Sequence, residues 1–175
     1  YETYLMPYDI QLAEHFGVFA VHHCGMHCER FAPLYRKIPN LVWLEAGAHS
    51  DFHAVRSAYE NSWINLRYSP QNLLGESIPE IQENVRSQFS SASFEKRNDF
   101  TSMSCVGIDV NTPDQNVIAF CRAIQDIRNS DSSALHDQCN FFAVVIMVSL
   151  QLTQGMGKIH GCSGIRRLYH ALAGQ

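Results

Sequence analysis

The sequence predicts an α/β protein in which about four βα units build half of an eight-stranded barrel, followed by an atypical C-terminal tail. Four short apolar runs, rich in β-branched and aromatic residues, alternate with helically patterned segments, and such alternation implies a parallel sheet covered by helices. Three of the runs end in polar or glycine-containing stretches, and barrels of this class carry their active sites at the carboxyl ends of the strands. A doubly wound sheet is the alternative, but no Gly-x-Gly-x-x-Gly motif follows any run, so a dinucleotide-binding sheet has no support.

The first unit contains the most distinctive strand. Residues 1–16 show helical spacing of apolar side chains, and residues 17–25 form an apolar run that ends in the sequence His-His-Cys-Gly. This pattern is typical of a buried parallel strand that delivers polar side chains to a site at its end. Because side chains alternate along a strand, His22 and Cys24 are expected on one face and His23 on the other.

The later elements are marked by helix-capping signals. Asp51 is expected to cap a helix that runs through residue 61, and Ser77-Ile78-Pro79-Glu80 is a capping box before an amphipathic helix. Thr112-Pro113-Asp114-Gln115 is a second predicted capping box. The remaining predicted elements are a helix over residues 29–38, strands at Leu41–Ala46, Trp63–Tyr68 and residues 100–106, and a loop over residues 90–98.

Two regions are expected: a domain of residues 1–130 and a tail of residues 131–175. The tail contains an apolar helix or strand within residues 141–152. His160 and Cys162 repeat a His-x-Cys pattern, but the glycines around them indicate a turn and a chance match. No motif assigns a role to the tail.

Composition excludes several classes of function. The 175 residues are 46% hydrophobic and 17% charged, with a net charge of −4 and no basic run, so neither nucleic acid nor an anionic membrane is an expected partner. The longest apolar run, residues 141–150, is about half of what a membrane-spanning helix needs. Six cysteines are too few for a secreted disulfide scaffold, and no signal peptide precedes them, so a cytoplasmic protein is expected. The chain begins at Tyr1 without methionine, which suggests a fragment of something longer.

His22, Cys24 and Cys105 form a candidate metal site at the predicted carboxyl ends of the strands. A close pair with one distant residue suits a catalytic zinc site, which has three protein ligands and an open position, better than a zinc finger. Two thiolates nearly cancel the charge of Zn²⁺, so a third thiolate from a substrate would lose its proton yet stay electron-rich, which favours alkyl transfer to sulfur. The structural alternative is a packed histidine beside a buried thiol, with Cys105 in the core.

Two further residues are predicted to bind substrate. His49 follows the second strand, and Arg67 ends the third, where it could bind an acidic group such as a sulfonate. An exposed or salt-bridged arginine is the structural alternative. Glu45 lies mid-strand on the same face as Trp43, and its only expected role is a hydrogen bond inside the barrel.

Three groups of motifs occur in a fixed order within about residues 1–128. They are Ala20-Val21-His22-His23-Cys24-Gly25, then a predicted turn at Tyr68-Ser69-Pro70 with the Ser77 capping box, and finally Cys105-Val106-Gly107 followed by Asn111-Thr112-Pro113-Asp114-Gln115-Asn116-Val117. In this order they resemble the C-terminal half of the uroporphyrinogen decarboxylase superfamily. The resemblance implies a TIM (β/α)8 barrel and one of two activities. One is cofactor-free decarboxylation of a tetrapyrrole; the other is zinc-dependent methyl transfer, as in the methylcobamide:coenzyme M methyltransferases.

The resemblance favours methyl transfer. In that branch a His-x-Cys pair and a distant cysteine before a Thr-Pro helix start bind zinc, and His22, Cys24 and Cys105 match these positions. The implied partners are a corrinoid protein and a thiol (coenzyme M-like) or pterin acceptor. The first alternative is a metal-free, decarboxylase-like enzyme that binds a polycarboxylate or porphyrinogen. The second is an inactive half-barrel that self-associates through its unpaired sheet edges.

Overall fold

The computed structural model describes residues 1–60, 62–93 and 100–131. Within these ranges, helices alternate with four strands. The strands are β1 (Phe19–His22), β2 (Leu41–Ala46), β3 (Trp63–Tyr68) and β4 (Thr101–Cys105). The helices are α1 (Met6–Phe16), α2 (Ala32–Tyr35), α3 (Phe52–Ala58), α4 (Pro70–Gly75), α5 (Ile78–Ala92) and α6 (Asp114–Asp131), with a 3₁₀ turn at Cys28–Arg30.

The four strands form one parallel sheet in the order β1-β2-β3-β4, so each strand lies beside its neighbours in the sequence. The register pairs His22 with Glu45, Glu45 with Asn65, and Arg67 with Ser104. The predicted α/β class and parallel sheet are confirmed. Strands in sequential order with helical crossovers are compatible with part of a βα barrel.

The two faces of the sheet differ in polarity because side chains alternate along each strand. One face packs beneath the helices and includes Leu44, Ile64 and Leu66, all completely buried. The opposite face, which we call the polar face, carries His22, Trp43, Glu45, Trp63, Asn65, Arg67, Ser102 and Ser104. The sheet therefore has an apolar core on one face and a layer of polar side chains on the other.

Helix α5 shows how the sequence builds the covering layer. Ile81, Val85 and Phe89 recur every fourth residue and are all buried against the core. The backbone N–H of Ser77 donates to the Glu80 carboxylate at 2.8 Å, which confirms the predicted capping box.

The helix predicted over residues 29–38 is wrong in its extent. The segment is a 3₁₀ turn followed by the four-residue α2. His27, immediately before the turn, has a left-handed backbone with φ of 61°, which interrupts a regular helix start. At the other end, the Lys37 and Ile38 N–H groups bond to carbonyls three residues back, so the segment closes in 3₁₀ rather than α-helical geometry.

Two other helices differ from expectation. Ser69-Pro70, predicted as a turn, begins α4: the Ser69 hydroxyl accepts from the Asn72 N–H, and proline takes the first helical position. Asp51 caps α3 as predicted, by accepting from the Ala54 N–H at 2.9 Å. However, α3 ends at Ala58 rather than near residue 61.

The second predicted capping box is wrong. The buried Thr112 hydroxyl has no hydrogen-bond partner within the described ranges, and α6 begins at Asp114, where the Val117 N–H bonds to the Pro113 carbonyl. Helix α5 continues through Ala92, so the start of the predicted loop over residues 90–98 is helical. The predictions for residues 132–175, including His160 and Cys162, lie outside the described residues. None of the described helices is long and apolar enough to cross a bilayer.

Candidate functional site

Four polar side chains converge at the carboxyl ends of three neighbouring strands. His22 is the last residue of β1, and Cys24 follows it by two residues. Glu45 lies near the end of β2 and Arg67 near the end of β3. Because the strands are parallel, these ends meet at one edge of the sheet, where α/β folds place their sites. We call this group of four residues the site cluster.

Glu45 is the centre of the site cluster. Its Oε2 lies 3.0 Å from His22 Nδ1, and its Oε1 lies 3.2 Å from Arg67 Nε. The contact with Arg67 is ionic rather than a directed hydrogen bond, since Oε1 has no hydrogen-bond partner among the described residues. Arg67 Nη1 in turn donates to Cys24 Sγ at 3.3 Å. The Glu45 side chain is only 4% exposed, and burying a carboxylate is costly unless it has such partners.

The site cluster changes the pKa values of its thiol and its imidazole in opposite directions. The hydrogen bond from Arg67, followed by the one with His22, lowers the pKa of the exposed Cys24 thiol. Partial burial by itself lowers the pKa of His22, but hydrogen bonds with Cys24 and Glu45 outweigh it, and the net shift is upward. Both shifts favour the charged forms. Cys24 is therefore a thiolate at lower pH than an isolated cysteine.

A close backbone contact positions Cys24. A Cβ atom at Gly47 would lie 1.9 Å from the Gly25 carbonyl oxygen, so only glycine lets the loop after β2 approach the loop that carries Cys24. His23 anchors the same loop from the other side: it is buried, and its Nδ1 lies 2.9 Å from the Tyr35 hydroxyl. The alternation predicted for His22 and His23 is confirmed.

Cys105 lies apart from the site cluster. It is the last residue of β4 and pairs in register with Tyr68; both are buried beneath the helices, at 2% and 0% exposure. Burial raises the pKa of Cys105 to about 12, whereas zinc binding requires a thiolate. Within the ranges that the structure describes, no three His, Cys, Asp or Glu side chains are close enough together to hold a metal ion.

His22 and Cys24 nevertheless have the features of one half of a zinc site. A zinc-binding histidine usually directs its other ring nitrogen to a carboxylate, and Glu45 takes that place beside Nδ1. The lowered pKa of Cys24 favours the thiolate, which is the form that binds metal. Cys105 does not fit as a third ligand in this arrangement. Further ligands would have to come from beyond the pair.

Of the two residues predicted to bind substrate, Arg67 belongs to the site cluster. His49, the other predicted substrate-binding residue, is exposed on the loop after β2; within the described ranges it shares no hydrogen bond with the site cluster. Sequence reasoning missed the bridging role of Glu45. The position of Glu45 could have indicated this role. Glu45 lies near the end of the strand that follows the His-x-Cys strand, and the ends of neighbouring parallel strands lie at the same edge of a sheet.

The chain matches no protein-family model, no curated protein and no solved structure.

Proposed function

We propose that the protein is a zinc-dependent methyltransferase that moves a methyl group between a corrinoid protein and a thiol (coenzyme M-like) or pterin acceptor. The observation that best supports it is the pairing of His22 and Cys24 with a buried carboxylate at the carboxyl end of a parallel sheet. The motif resemblance favours the same activity. His22 and Cys24 would hold the zinc, which lowers the pKa of a bound acceptor thiol and leaves its sulfur electron-rich.

Glu45 and Arg67 position the two candidate zinc ligands. Glu45 fixes the orientation of the His22 ring through its contact with Nδ1, and the ring also shares a hydrogen bond with the Cys24 thiol, so the two candidate ligands lie side by side. Arg67 holds the Cys24 sulfur, and its positive charge compensates both the carboxylate and the thiolate. Arg67 can also attract an acidic group on the acceptor, such as a sulfonate or a carboxylate.

For a thiol acceptor, the net reaction forms one bond and breaks another. The acceptor sulfur uses a lone pair to form a bond with the methyl carbon, and the bond between that carbon and its donor breaks with both electrons staying on the donor. The thiol proton leaves to solvent. The products are a methyl thioether and the demethylated corrinoid protein.

Zinc binding tests the proposal. We expect about one zinc per chain in the wild-type protein, measured by competition with a chromophoric chelator. The affinity should fall at least a hundredfold in Cys24→Ala and in His22→Ala, because each removes one of the ligands. Cys28→Ala is the matched control, since Cys28 is a completely buried cysteine four residues away. Absence of zinc from folded wild-type protein would refute the zinc-dependent function.

A Cys105→Ala variant distinguishes two forms of the site. Retained zinc would mean that His22 and Cys24 bind the metal with ligands other than Cys105, in keeping with the burial of that thiol. Lost zinc, in protein with an unchanged circular dichroism spectrum, would mean that Cys105 turns towards the pair when metal binds, as the resemblance implies. Formation of a methyl thioether from methylcobalamin and 2-mercaptoethanesulfonate would then test the transfer itself.

A metal-free, decarboxylase-like enzyme is the second candidate. The supporting observation is Arg67, whose side chain is 14% exposed at the carboxyl end of the sheet and whose charge suits a carboxylate of the substrate. This candidate predicts folded protein without zinc that binds a polycarboxylate. An Arg67→Met variant should lose that binding while Cys24→Ala keeps it.

A further inference from the structure

Cys24 lies in the exposed middle of a short loop, residues 23–28, which we call the thiol loop. Both end residues of the thiol loop are buried, whereas Cys24 and Met26 between them are exposed. Among the described residues, the backbone N–H groups of Cys24, Gly25 and Met26 donate to no acceptor. The thiol loop therefore lacks backbone bonds of its own that would fix Cys24, and the position of the sulfur depends on contacts with neighbouring segments.

The loop after β2, residues 47–51, lies directly against the thiol loop, and we call it the support loop. A Cβ atom at Gly47 would lie 1.9 Å from the Gly25 carbonyl oxygen, so the two backbones are in contact one residue after Cys24. The support loop is itself a turn, because the Ser50 N–H donates to the Gly47 carbonyl at 3.0 Å. It thus offers the thiol loop a defined surface.

Two hydrogen bonds from side chains join the far end of the thiol loop to the support loop. The Cys28 N–H donates to the Ser50 hydroxyl oxygen at 3.1 Å, and the Asp51 N–H donates to the Glu29 carboxylate at 3.0 Å. The other oxygen of Glu29 lies 3.1 Å from Nδ1 of His27, whose backbone is left-handed with φ of 61°. Glu29 therefore holds both the support loop and the residue at which the thiol loop turns.

The geometry of the site cluster depends on where the thiol loop lies. Arg67 Nη1 donates to Cys24 Sγ at 3.3 Å, and a hydrogen bond weakens steeply as its distance and angle depart from the optimum. A shift of the loop by about 1 Å would be enough to break this contact. Within the described ranges, neither Ser50 nor Glu29 shares a hydrogen bond with the site cluster, so both can act on the thiol only through the backbone.

We infer that Ser50 and Glu29 are positioning residues for Cys24, because they hold the thiol loop against the support loop and so keep the sulfur within reach of Arg67. The importance of this position for zinc binding rests on the proposed function. The contact between the thiol and the guanidinium does not, so the inference can be tested without metal.

Alkylation of Cys24 by iodoacetamide in zinc-free protein tests the inference. The thiolate forms a carbon–sulfur bond and releases iodide, and peptide mass mapping separates the rate at Cys24 from the rates at the other cysteines. The ratio of the rate at pH 7 to the limiting rate at high pH measures how strongly Arg67 stabilises the thiolate, whereas a change in loop accessibility alone would alter both rates alike. We expect a Ser50→Ala, Glu29→Met double variant to lower this ratio about three- to tenfold, because a hydrogen bond to a charged group is weakened.

A Ser57→Ala, Glu83→Met double variant is the matched control. The Ser57 hydroxyl donates to the His53 carbonyl within α3, and Glu83 is exposed on α5. The control therefore makes the same two chemical changes away from both loops, and it should keep the wild-type ratio.

An unchanged ratio in folded protein with both loop substitutions would overturn the inference. If that double variant does not fold, an unchanged ratio in a folded Glu29→Met single variant would do so instead. The experiment uses neither zinc nor a methyl donor. Its failure would therefore leave the methyltransferase proposal standing, and absence of zinc from the wild-type protein would leave the positioning roles of Ser50 and Glu29 standing.

Discussion

At the scale of single residues, the contact between Arg67 and Cys24 influences the pKa of the thiol. The guanidinium donates to the thiol sulfur at 3.3 Å, and this hydrogen bond is the largest cause of the lowered pKa of Cys24. A cation beside a thiol stabilises the thiolate, so removing it must raise the pKa. We predict that Arg67→Met moves the midpoint of the pH profile for iodoacetamide alkylation of Cys24, in zinc-free protein, to higher pH.

The rate near pH 7 should fall several-fold in this variant, because a smaller fraction of Cys24 is then thiolate. Arg122→Met, at an exposed position of α6, is the control and should keep the wild-type midpoint. Superimposable pH profiles for wild type and Arg67→Met would show that Arg67 does not activate the thiol.

The same residues show what sequence can predict of a site. Alternation within one strand is sufficient to place His22 and Cys24 together and His23 apart, because the period of two is fixed by backbone geometry. The position of Cys105 depends on a relation between strands. Only the observed register, with Cys105 beside Tyr68 and Ser104 beside Arg67, determines which of two successive residues faces the site cluster. A shift by one residue would exchange their faces.

At the scale of elements, Arg56 ties the amino-terminal side of the sheet to its helices. The side chain is 2% exposed, and its guanidinium donates to four backbone carbonyls and one hydroxyl. The acceptors are Ala92 O (2.8 Å), Tyr59 O (2.9 Å), Ser62 O (2.8 Å), Phe100 O (3.1 Å) and Thr101 Oγ1 (3.0 Å). The bond to Tyr59 also helps explain why α3 ends at Ala58, since it turns that carbonyl towards Arg56.

We predict that Arg56→Met lowers the free energy of unfolding by about 3 kcal/mol or more, because several buried carbonyls lose their donor together. Urea unfolding followed by circular dichroism measures the change. Arg86→Met, on the exposed side of α5, should change the stability by less than about 0.5 kcal/mol. Equal unfolding midpoints for the two variants would contradict the role given to Arg56.

Some helices and strands could be predicted from local sequence, whereas the bounds of others depend on contacts formed in the fold. Strands β2 and β3 have the predicted bounds, and the Ser77 capping box begins α5 as expected, because pattern and cap are both written in neighbouring residues. The short α2 depends on a left-handed residue at position 27, and the end of α3 depends on the Arg56 side chain, which joins the Tyr59 carbonyl to acceptors far along the chain. Neither is visible in a local pattern.

At the scale of the whole molecule, helix α1 presents an uncovered apolar stripe. Met6 and Ala13 face the core, while Leu5, Tyr8 and Phe16 are 60%, 65% and 68% exposed, and Leu12 is 46% exposed. At about 100° per residue, the stripe lies roughly 120° around the helix from the buried side. Exposed stripes of this kind indicate an interaction surface. We propose a second copy of the chain as the partner that covers it.

The spacing of the stripe is nearly symmetric, because the pairs Leu5/Phe16 and Tyr8/Leu12 have midpoints that differ by half a residue. In an antiparallel pair of α1 helices, Leu5 of one copy would meet Phe16 of the other, and Tyr8 would meet Leu12, so the same surface serves both copies as a two-fold interface requires. This interface is separate from the self-association predicted at the sheet edges. The exposed aromatic rings of the stripe supply on the order of 300 Å² per copy, less than half of the roughly 800 Å² in a standard interface.

Because the interface is this small, we predict a weak dimer with a dissociation constant on the order of micromolar or above. Sedimentation velocity over a concentration series should show a monomer–dimer equilibrium in the wild-type protein and only monomer in a Leu5→Lys, Leu12→Lys double variant, because each lysine places a charge within the stripe. Val110→Lys is the control: Val110 is 94% exposed but lies outside α1, and its replacement should leave the equilibrium unchanged. A wild-type protein that stays monomeric at high concentration would contradict the α1 interface. Dimers that persist in the double variant would instead locate association elsewhere. The edges of β1 and β4, which pair with no further strand among the described residues, would be the next surfaces to substitute.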